Sequence, residues 1–229
     1  MGLRERKKEQ TRQSIAETAW RLFAERGYDR VTVAEIAREA QVAEATVFNY
    51  FGTKEDLFYS RLEAFEGRLL DAIRARTAGE PVLGAFRRFL LDSSGLLGQA
   101  EAGDTEALAQ LRTVNRLIAA SPALLAREQQ AIARSTDALA DLLADETGAP
   151  PDDIRPQVAA NALMGVQRAL LGQVRRRVLA DDEPARLAAD IRSLTRQALA
   201  LLEHGLGDYG AKPPRPTRAT TATRGPEGS

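Results

Sequence analysis

The sequence predicts an all-α protein. Alanine, leucine, arginine and glutamate dominate its 229 residues, whereas β-branched residues are scarce, and this composition favours helices over strands. Apolar residues recur at helical spacing in separate segments, and breaks rich in glycine, proline or serine divide these segments from one another. We therefore expect about nine helices, in a chain long enough to form one or two domains.

The composition also narrows the classes of function. The chain has no cysteine and one histidine, which excludes disulfides and thiolate metal sites and argues against a dedicated transition-metal site. We expect no cofactor and no metal. The N-terminus is charged and no apolar run is long enough to cross a bilayer, so we expect a cytoplasmic protein without a membrane partner. The 32 basic and 32 acidic side chains balance, which argues against indiscriminate nucleic-acid binding but permits a local basic surface.

The N-terminal segment joins positive charge to the first helix. Residues 1 to about 8 are predicted to form a flexible basic arm, either for phosphate contact or as a solvated tail. The first helix should run from about Lys8 to Arg26 and stop at Gly27, a residue suited to a helix C-terminus. Trp20 should belong to the core or to its edge. The buried stripe of this helix consists of Ile15, Ala19, Leu22 and Phe23.

Residues 32 to 54 predict two short helices joined by a tight turn, followed by the start of another helix. Thr32 stands three residues before Glu35, which is a capping box, so a helix of about two turns should begin at Val33. Thr53 stands at the same spacing before Asp56 and should cap the later helix. The inward face of the first short helix consists of Val33, Ile36, Ala37 and Ala40.

The second short helix should begin near residue 43 or 44, after an interruption at residues 41 and 42. Val47 and Phe51 repeat at i, i+4 on its inward side, and the other side offers small and polar groups. Two short helices at a steep angle, the second with such a face exposed, have the helix-turn-helix geometry that fits a major groove. The spacing alone is also compatible with an ordinary helical domain.

The residue types favour the first interpretation. The run V-A-E-A-T-V-F-N-Y-F-G-T-K-E resembles the DNA-binding domain of the TetR family of transcriptional regulators, and the resemblance extends back to Arg12. It differs from the family pattern at two positions. Ala43 replaces the usual serine and so removes a side-chain cap, whereas Phe48 replaces a tyrosine and so removes a hydroxyl.

Base reading requires side chains on the exposed N-terminal part of the second short helix. Glu44 can accept from a cytosine amino group or act only as a charge at the helix start, Ala45 or Thr46 can meet a thymine methyl, and Asn49 can pair with adenine. The resemblance implies backbone contacts at Thr32, Thr46, Tyr50 and Lys54. The predicted DNA-contacting residues are Lys8, Arg12, Thr32, Val33, Glu44, Ala45, Thr46, Phe48, Asn49, Tyr50 and Lys54.

Three regions are expected along the chain. We assign residues 1–54 to a helix-turn-helix domain, residues 55–206 to a helical effector-binding and dimerisation domain, and residues 207–229, which are rich in proline, glycine, threonine and arginine, to a disordered tail. The resemblance implies that a long helix from residue 54 links ligand domain and DNA reader. The helices predicted after the second short helix span residues 54–76, 82–98, 104–120, 122–146, 152–180 and 184–206.

The last two predicted helices are apolar over much of their circumference. One intramolecular contact would use only one stripe of each, and the small residues Ala162, Gly165, Ala169 and Gly172 suit close packing against a second copy. This pattern predicts a two-fold homodimer built on a four-helix bundle. Two reading heads related by a two-fold axis would bind a palindrome in double-stranded DNA, with half-sites one helical turn or a multiple of it apart.

An effector site is predicted from polar or adaptable residues in otherwise apolar helices and from aromatic residues that can wall a cavity. Ordinary core or surface packing is the alternative for each of them. The candidate effector-binding residues are Phe86, Phe89, Asn115, Met164, Gln167 and Arg168.

These observations lead to one functional expectation and two alternatives. We expect a homodimeric regulator resembling the TetR family, a repressor that a small-molecule effector of unknown identity releases from DNA; the release mechanism is implied by the resemblance. A DNA-binding regulator controlled by a protein partner is the first alternative. An enzyme is the second, and it is disfavoured because no nucleophile–base constellation, phosphate loop or metal-ligand spacing occurs in the sequence.

Overall fold

The computed structural model describes residues 2–60, 64–77, 79–92 and 96–204. Within these residues the chain forms eleven α-helices and no β-strand, which confirms the all-α prediction. The N-terminal helices are α1 (Leu3–Arg26), α2 (Val33–Glu39), α3 (Glu44–Tyr50) and α4 (Lys54–Tyr59). The remaining helices are α5 (Ala64–Arg74), α6 (Val82–Leu91), α7 (Leu96–Glu101), α8 (Thr105–Ala120), α9 (Pro122–Thr147), α10 (Arg155–Leu179) and α11 (Pro184–His204).

Helix α1 begins five residues earlier than expected, so the prediction of a flexible basic arm is wrong for the described residues 2–8. The backbone amide of Gly2 donates to Glu5 Oε2 at 2.9 Å, which satisfies an amide at the helix start that would otherwise lack a partner. Arginine, lysine and glutamate also have high helix propensity. The positive charges before Ile15 therefore stand on a helix.

The predicted caps are confirmed. The Thr32 hydroxyl accepts from the Glu35 amide at 3.2 Å, and Glu35 Oε2 accepts from the Thr32 amide at 2.8 Å, so α2 begins with a complete capping box. The Thr53 hydroxyl accepts from the Asp56 amide at 3.0 Å. Helix α3 starts at Glu44 without a side-chain cap, because Ala43 has no group that can accept a hydrogen bond.

Two long predicted helices need revision. The predicted helix 82–98 is wrong, because Asp92 has an extended backbone (φ −64°, ψ 128°) that ends α6; aspartate competes for backbone hydrogen bonds and is a poor residue for a helix interior. The predicted helix 54–76 corresponds to α4 and α5, and its continuity falls on residues 61–63, outside the described residues. Helix α10 begins at Arg155 rather than at residue 152, and the Arg155 amide donates to Asp153 Oδ1 at 2.9 Å.

The buried residues form two principal clusters. The first, which we call the head core, unites α1 to α4 and includes the predicted stripe of α1, whose members are completely buried. Trp20 packs at its edge, with its ring centroid 5.6 Å from that of Phe58. The second, the body core, joins α5, α6, α9, α10 and α11 around residues such as Phe86 and Met164.

The head, by which we mean helices α1 to α4, packs against the rest of the chain. Four side chains from α8 and α9 belong to the head core, namely Val114, Leu117, Ile118 and Leu124. Helix α4 also packs in this core, so the predicted division after residue 54 falls within it and stays a prediction. The predicted tail at 207–229 lies outside the described residues. In the described ranges, no helix combines the length and apolar character that crossing a membrane demands.

Candidate nucleic-acid interface

Helices α2 and α3 pack so that one side of α3 is buried and the other is free. Val47 is 1% exposed, because it points into the head core together with Phe51. Glu44, Ala45, Phe48 and Asn49 are exposed on the outer side, whereas Thr46 and Tyr50 are half-buried at its margins. The structure therefore brings the six predicted α3 contacts together on one accessible surface, which we call the reading face.

The other two predicted contacts in this helix pair, Thr32 and Val33, lie at the N-terminus of α2. The Thr32 hydroxyl donates to Glu35 Oε2 at 2.9 Å while it accepts from the Glu35 amide, so its main structural use is the cap. Val33 is half-buried and packs against the head core. The first amides of a helix have no intrahelical partner, and they can bind a phosphate without any side-chain hydroxyl.

Helix α1 brings positive charge to the C-terminal end of α3. Lys8 is exposed, and Arg12, one turn later, places its guanidinium carbon 5.1 Å from the centroid of the Phe51 ring. This cation–π contact fixes α1 beside the C-terminal end of α3. The reading face itself carries no basic side chain and one carboxylate, that of Glu44. Any attraction to an anionic ligand such as a phosphate would therefore come from the flanking helices rather than from α3.

Lys54 points into the protein rather than outward. Its Nζ donates to the carbonyl oxygen of Tyr28 at 2.7 Å and lies 4.0 Å from the centroid of the Tyr28 ring. Burial lowers the pKa of Lys54, and the Asp29 and Glu55 carboxylates act in the opposite direction. The Tyr28 hydroxyl in turn donates to Glu55 Oε1 at 2.7 Å. Lys54 therefore ties the start of α4 to the α1–α2 connection, a role that sequence reasoning missed.

Contacts between the head and α9 form a second group that the sequence did not reveal. The Tyr59 hydroxyl donates to the carbonyl oxygen of Leu124 at 2.9 Å, and Arg127 Nη2 donates to Asp56 Oδ1 at 2.8 Å. Burial alone would raise the pKa of Asp56, but hydrogen bonds from Arg127 and Thr53 outweigh it and hold that pKa below its usual value. Partners 65 and 71 residues apart leave no local signal in a sequence.

The structure separates the predicted effector residues into two groups. Phe86 and Met164 are completely buried in the body core, and Phe89 packs against it. Gln167 is 6% exposed, and its Oε1 has no hydrogen-bond partner among the described residues. The three apolar side chains therefore lie in or beside the body core, and Gln167 is buried on α10 three residues after Met164.

Asn115 and Arg168 differ from that group. Asn115 is buried on α8, where its Nδ2 donates to the carbonyl oxygen of Leu111 at 2.8 Å within the same helix. Arg168 is exposed, although it follows the buried Gln167 directly on α10. The structure therefore does not place the Arg168 side chain in the body core.

Two family models match the chain. The model for bacterial regulatory proteins of the tetR family matches residues 15–60, which contain α2, α3, α4 and the buried half of α1. The model for the MftR C-terminal domain matches residues 93–207. Together they account for both the head and most of the remaining helices.

Individual relatives agree with the family models. The chain is 32% identical over 174 residues to the HTH-type transcriptional regulator TcmR of Streptomyces glaucescens, which covers 73% of this chain and 74% of that protein. It is 28% identical over 165 residues to the mycofactocin biosynthesis transcriptional regulator MftR of Mycobacterium tuberculosis, covering 70% of this chain and 78% of the relative. These relatives are regulators rather than enzymes.

A solved structure has the same fold. The crystal structure of native NalD, the secondary repressor of the MexAB-OprM multidrug efflux pump in Pseudomonas aeruginosa, superposes with a TM-score of 0.54 at 21% identity, and the match covers 83% of this chain and 97% of NalD. This likeness shows the fold alone. Three other observations identify the family: the helix-turn-helix geometry of α2 and α3, the two family models and the similarity to TcmR. The chain belongs to the TetR family of DNA-binding transcriptional regulators.

Proposed function

We propose that the chain is a repressor that binds a palindromic operator as a homodimer and leaves it when a small-molecule effector binds among the C-terminal helices. The reading face of α3 carries the proposal, since its exposed side chains stand on a helix whose opposite side is anchored in the head core. A repressor acts on the chromosome, so we place it in the cytoplasm.

Within this proposal the predicted contacts divide by chemistry. Glu44 accepts from cytosine, Ala45 or Thr46 meets a thymine methyl and Asn49 pairs with adenine, each good bidentate pair being worth about 1–3 kcal/mol of discrimination. The hydroxyl of Tyr50 and the amides at the start of α2 face the DNA backbone. Lys8 and Arg12 supply the phosphate attraction that the reading face lacks.

The exposed side of α10 supports the homodimer. Val158 is 55% exposed in the single chain, and a Cβ added to Gly165 would meet no described atom within 4 Å. Leu201 on α11 is 38% exposed. Apolar side chains beside small residues let two helix pairs approach closely. A second copy on this surface would remove the apolar area from water and hold two reading faces at a defined separation.

Gln167 supports an effector in the body core. A buried carbonyl oxygen without a partner costs about 1–3 kcal/mol, and a ligand that donates a hydrogen bond to Gln167 Oε1 would recover that cost. Phe86, Phe89 and Met164 would contact the apolar remainder of such a molecule. Ligand sites commonly combine an apolar lining with a few polar groups that orient the ligand.

The junction between α4 and α9 supplies a route from effector to DNA. Tyr59 and Asp56 on α4 are bonded to Leu124 and Arg127 on α9, so a displacement of α9 moves the base of the head. Release requires the effector to prefer the arrangement with the wrong head separation, since equal affinity for both arrangements would shift nothing.

Fluorescence anisotropy tests the proposal. The purified full chain is titrated into its own upstream DNA and a scrambled duplex across a salt series. We expect tight binding to the native fragment alone, a steep salt dependence and two chains per palindrome, with loss of discrimination in Asn49→Ala. Failure to select any duplex from a genomic library would refute the DNA-binding role. Operator binding without a thermal shift from any member of a metabolite panel would favour control by a protein partner.

A further inference from the structure

One apolar side chain on the reading face lies where a polar residue would be expected. Phe48 is 47% exposed, although it stands directly after the buried Val47. In the described part of the chain, the other large apolar residues with strong exposure lie on α10, at its ends or on α11, and Phe48 is the one in the head. Its exposure is therefore a feature of the reading face.

The geometry of α3 explains why the phenyl ring is not absorbed into the core. Each residue turns the helix by about 100°, so Val47 and Phe51 can share the buried side while Phe48 cannot. The head core already holds a cluster of packed rings, among them Phe23, Tyr28 and Phe58. No such ring partner is found for Phe48 within the described residues. Phe48 precedes Asn49 on the reading face and follows Ala45 by three residues, about one helical turn.

The chemistry of a phenyl ring restricts what it can recognise in a major groove. It neither donates nor accepts a conventional hydrogen bond, so a polar base edge covered by it loses water without replacement. It also lacks the hydroxyl with which tyrosine would reach a phosphate. The major-groove edges of the four base pairs present one apolar group, the 5-methyl of thymine. Contact with that methyl is the arrangement in which both surfaces gain by leaving water.

We propose that Phe48 is a specificity-determining residue that reads thymine through its 5-methyl group. The proposal rests on the proposed function, because it requires α3 to enter the major groove. Asn49, its neighbour on the reading face, is matched to adenine. Each half-site should therefore contain a thymine, packed against the Phe48 ring, within one or two base pairs of the adenine that Asn49 contacts.

The expected effect is measurable. Burial of one methyl group corresponds to about a fourfold change in affinity at room temperature. Because a homodimer reads two half-sites, loss of both methyls should weaken binding by roughly 15-fold, the product of two such changes. The effect should depend on the base and not on the backbone.

Replacement of thymine by 2′-deoxyuridine tests the proposal, since it removes the methyl and leaves every hydrogen-bonding group in place. The full chain first selects its operator from a random duplex library. Each thymine of that operator is then replaced singly, and in symmetric pairs, and affinity is measured by anisotropy at one salt concentration. We expect at least one symmetric thymine pair whose replacement weakens binding by the factors above. The pair read by Phe48 is the one whose sensitivity disappears in the Phe48→Ala variant.

Protein variants assign that effect to Phe48. At one thymine pair, Phe48→Ala should bind the thymine and deoxyuridine operators equally, whereas Phe48→Leu, which keeps an apolar side chain, should retain part of the difference. A thymine contacted by Ala45 or Thr46 should remain sensitive in both variants. Asn49→Ala is the matched control, since it should lose adenine discrimination but keep the sensitivity to deoxyuridine. Because Phe48 is exposed, all three variants should melt within a few degrees of the wild type.

Each other outcome overturns the proposal. Insensitivity of every thymine to replacement, or deoxyuridine effects that Phe48→Ala leaves undiminished at every thymine pair, would exclude methyl reading by this ring. Equal weakening of Phe48→Ala on operator and scrambled duplexes would assign the ring to the sugar–phosphate backbone instead. Failure to select any operator would refute the proposed function and this proposal with it, whereas a selected operator without the methyl effect refutes this proposal alone.

Discussion

The substitution Lys54→Met distinguishes a structural role of Lys54 from a DNA-contacting role. The family resemblance assigns this residue to the DNA backbone, but its Nζ donates to the carbonyl oxygen of Tyr28 at 2.7 Å and lies over the Tyr28 ring. Lys54→Met keeps the length and apolar stem of the side chain and removes the charge. We expect the variant to be destabilised even without DNA, because the Tyr28 carbonyl loses its charged donor.

The size of the loss follows from the contacts. A hydrogen bond to a charged group contributes about 1.5–3 kcal/mol, and a partly exposed cation–π contact adds about 0.5–1 kcal/mol. The ammonium of Lys54 is only half-buried, so the lower values apply, and the methionine side chain recovers some packing. A net loss of about 1.5 kcal/mol corresponds to a fall in Tm of roughly 3–6 °C for a chain of this size.

Lys8→Met is the matched control, since Lys8 is exposed on α1 and is predicted to contact phosphate. Differential scanning fluorimetry should give a Tm near that of the wild type for Lys8→Met and a lower Tm for Lys54→Met. Anisotropy across a salt series should show a shallower salt dependence for Lys8→Met, by about 0.9 for each lost phosphate contact. An unchanged Tm in Lys54→Met would refute the structural role.

Three further predictions concern the proposed dimer interface, the proposed effector site and the junction between α4 and α9. Val158→Asp should convert the homodimer into monomers in analytical ultracentrifugation without unfolding the chain, because a carboxylate at the proposed interface would be desolvated; a persistent dimer would refute that interface. Gln167→Leu should raise the free energy of unfolding by about 1–2 kcal/mol, because it removes a buried acceptor that has no described partner. It should also abolish the effector response while operator binding persists. Thr195→Val is the control that should not be stabilised, because the Thr195 hydroxyl donates to the Ile191 carbonyl oxygen at 2.7 Å. Since the folded state holds the pKa of Asp56 below its ordinary value of 3.8, this group stabilises the fold at pH values above 3.8. That stability is lost as pH falls below 3.8 through the folded-state pKa. On acidification through this range, Asp56→Asn should therefore lose less unfolding free energy than the wild type does. The same pH profile in both proteins would contradict a stabilising role for the Asp56–Arg127 pair.

The accuracy of the sequence-based expectations depended on how local their signals were. The structure confirms the capping box at Thr32 and Glu35, the buried side of α3 and the stripe of α1. In each of these patterns, neighbouring members are at most four positions apart. The extension of α1 to Leu3 was missed because the apolar stripe that marks a helix begins later. The break at Asp92 was missed because apolar periodicity continued across it.

The direction of individual polar side chains could not be obtained in the same way. The family pattern correctly placed Lys54 at the start of a helix, but whether its ammonium meets a phosphate or the Tyr28 carbonyl depends on a connection folded over it. Gln167 and Arg168 are adjacent in the sequence, yet one is buried and the other exposed. A difference of about 100° around α10 decides that outcome, and only the packing of neighbouring helices fixes which direction is inside.

The sequence by itself therefore determined the all-α class, the helix-turn-helix and its reading face, and the family, because helix caps and apolar periodicity act within a few residues. The tertiary structure alone decided that Lys54 turns inward, that Tyr59 and Asp56 on α4 are bonded to α9, and that Gln167 is buried with no described group bonded to its carbonyl. The reason is physical: a side chain's burial and hydrogen bonds depend on the groups packed against it, and here those groups come from elements tens of residues away.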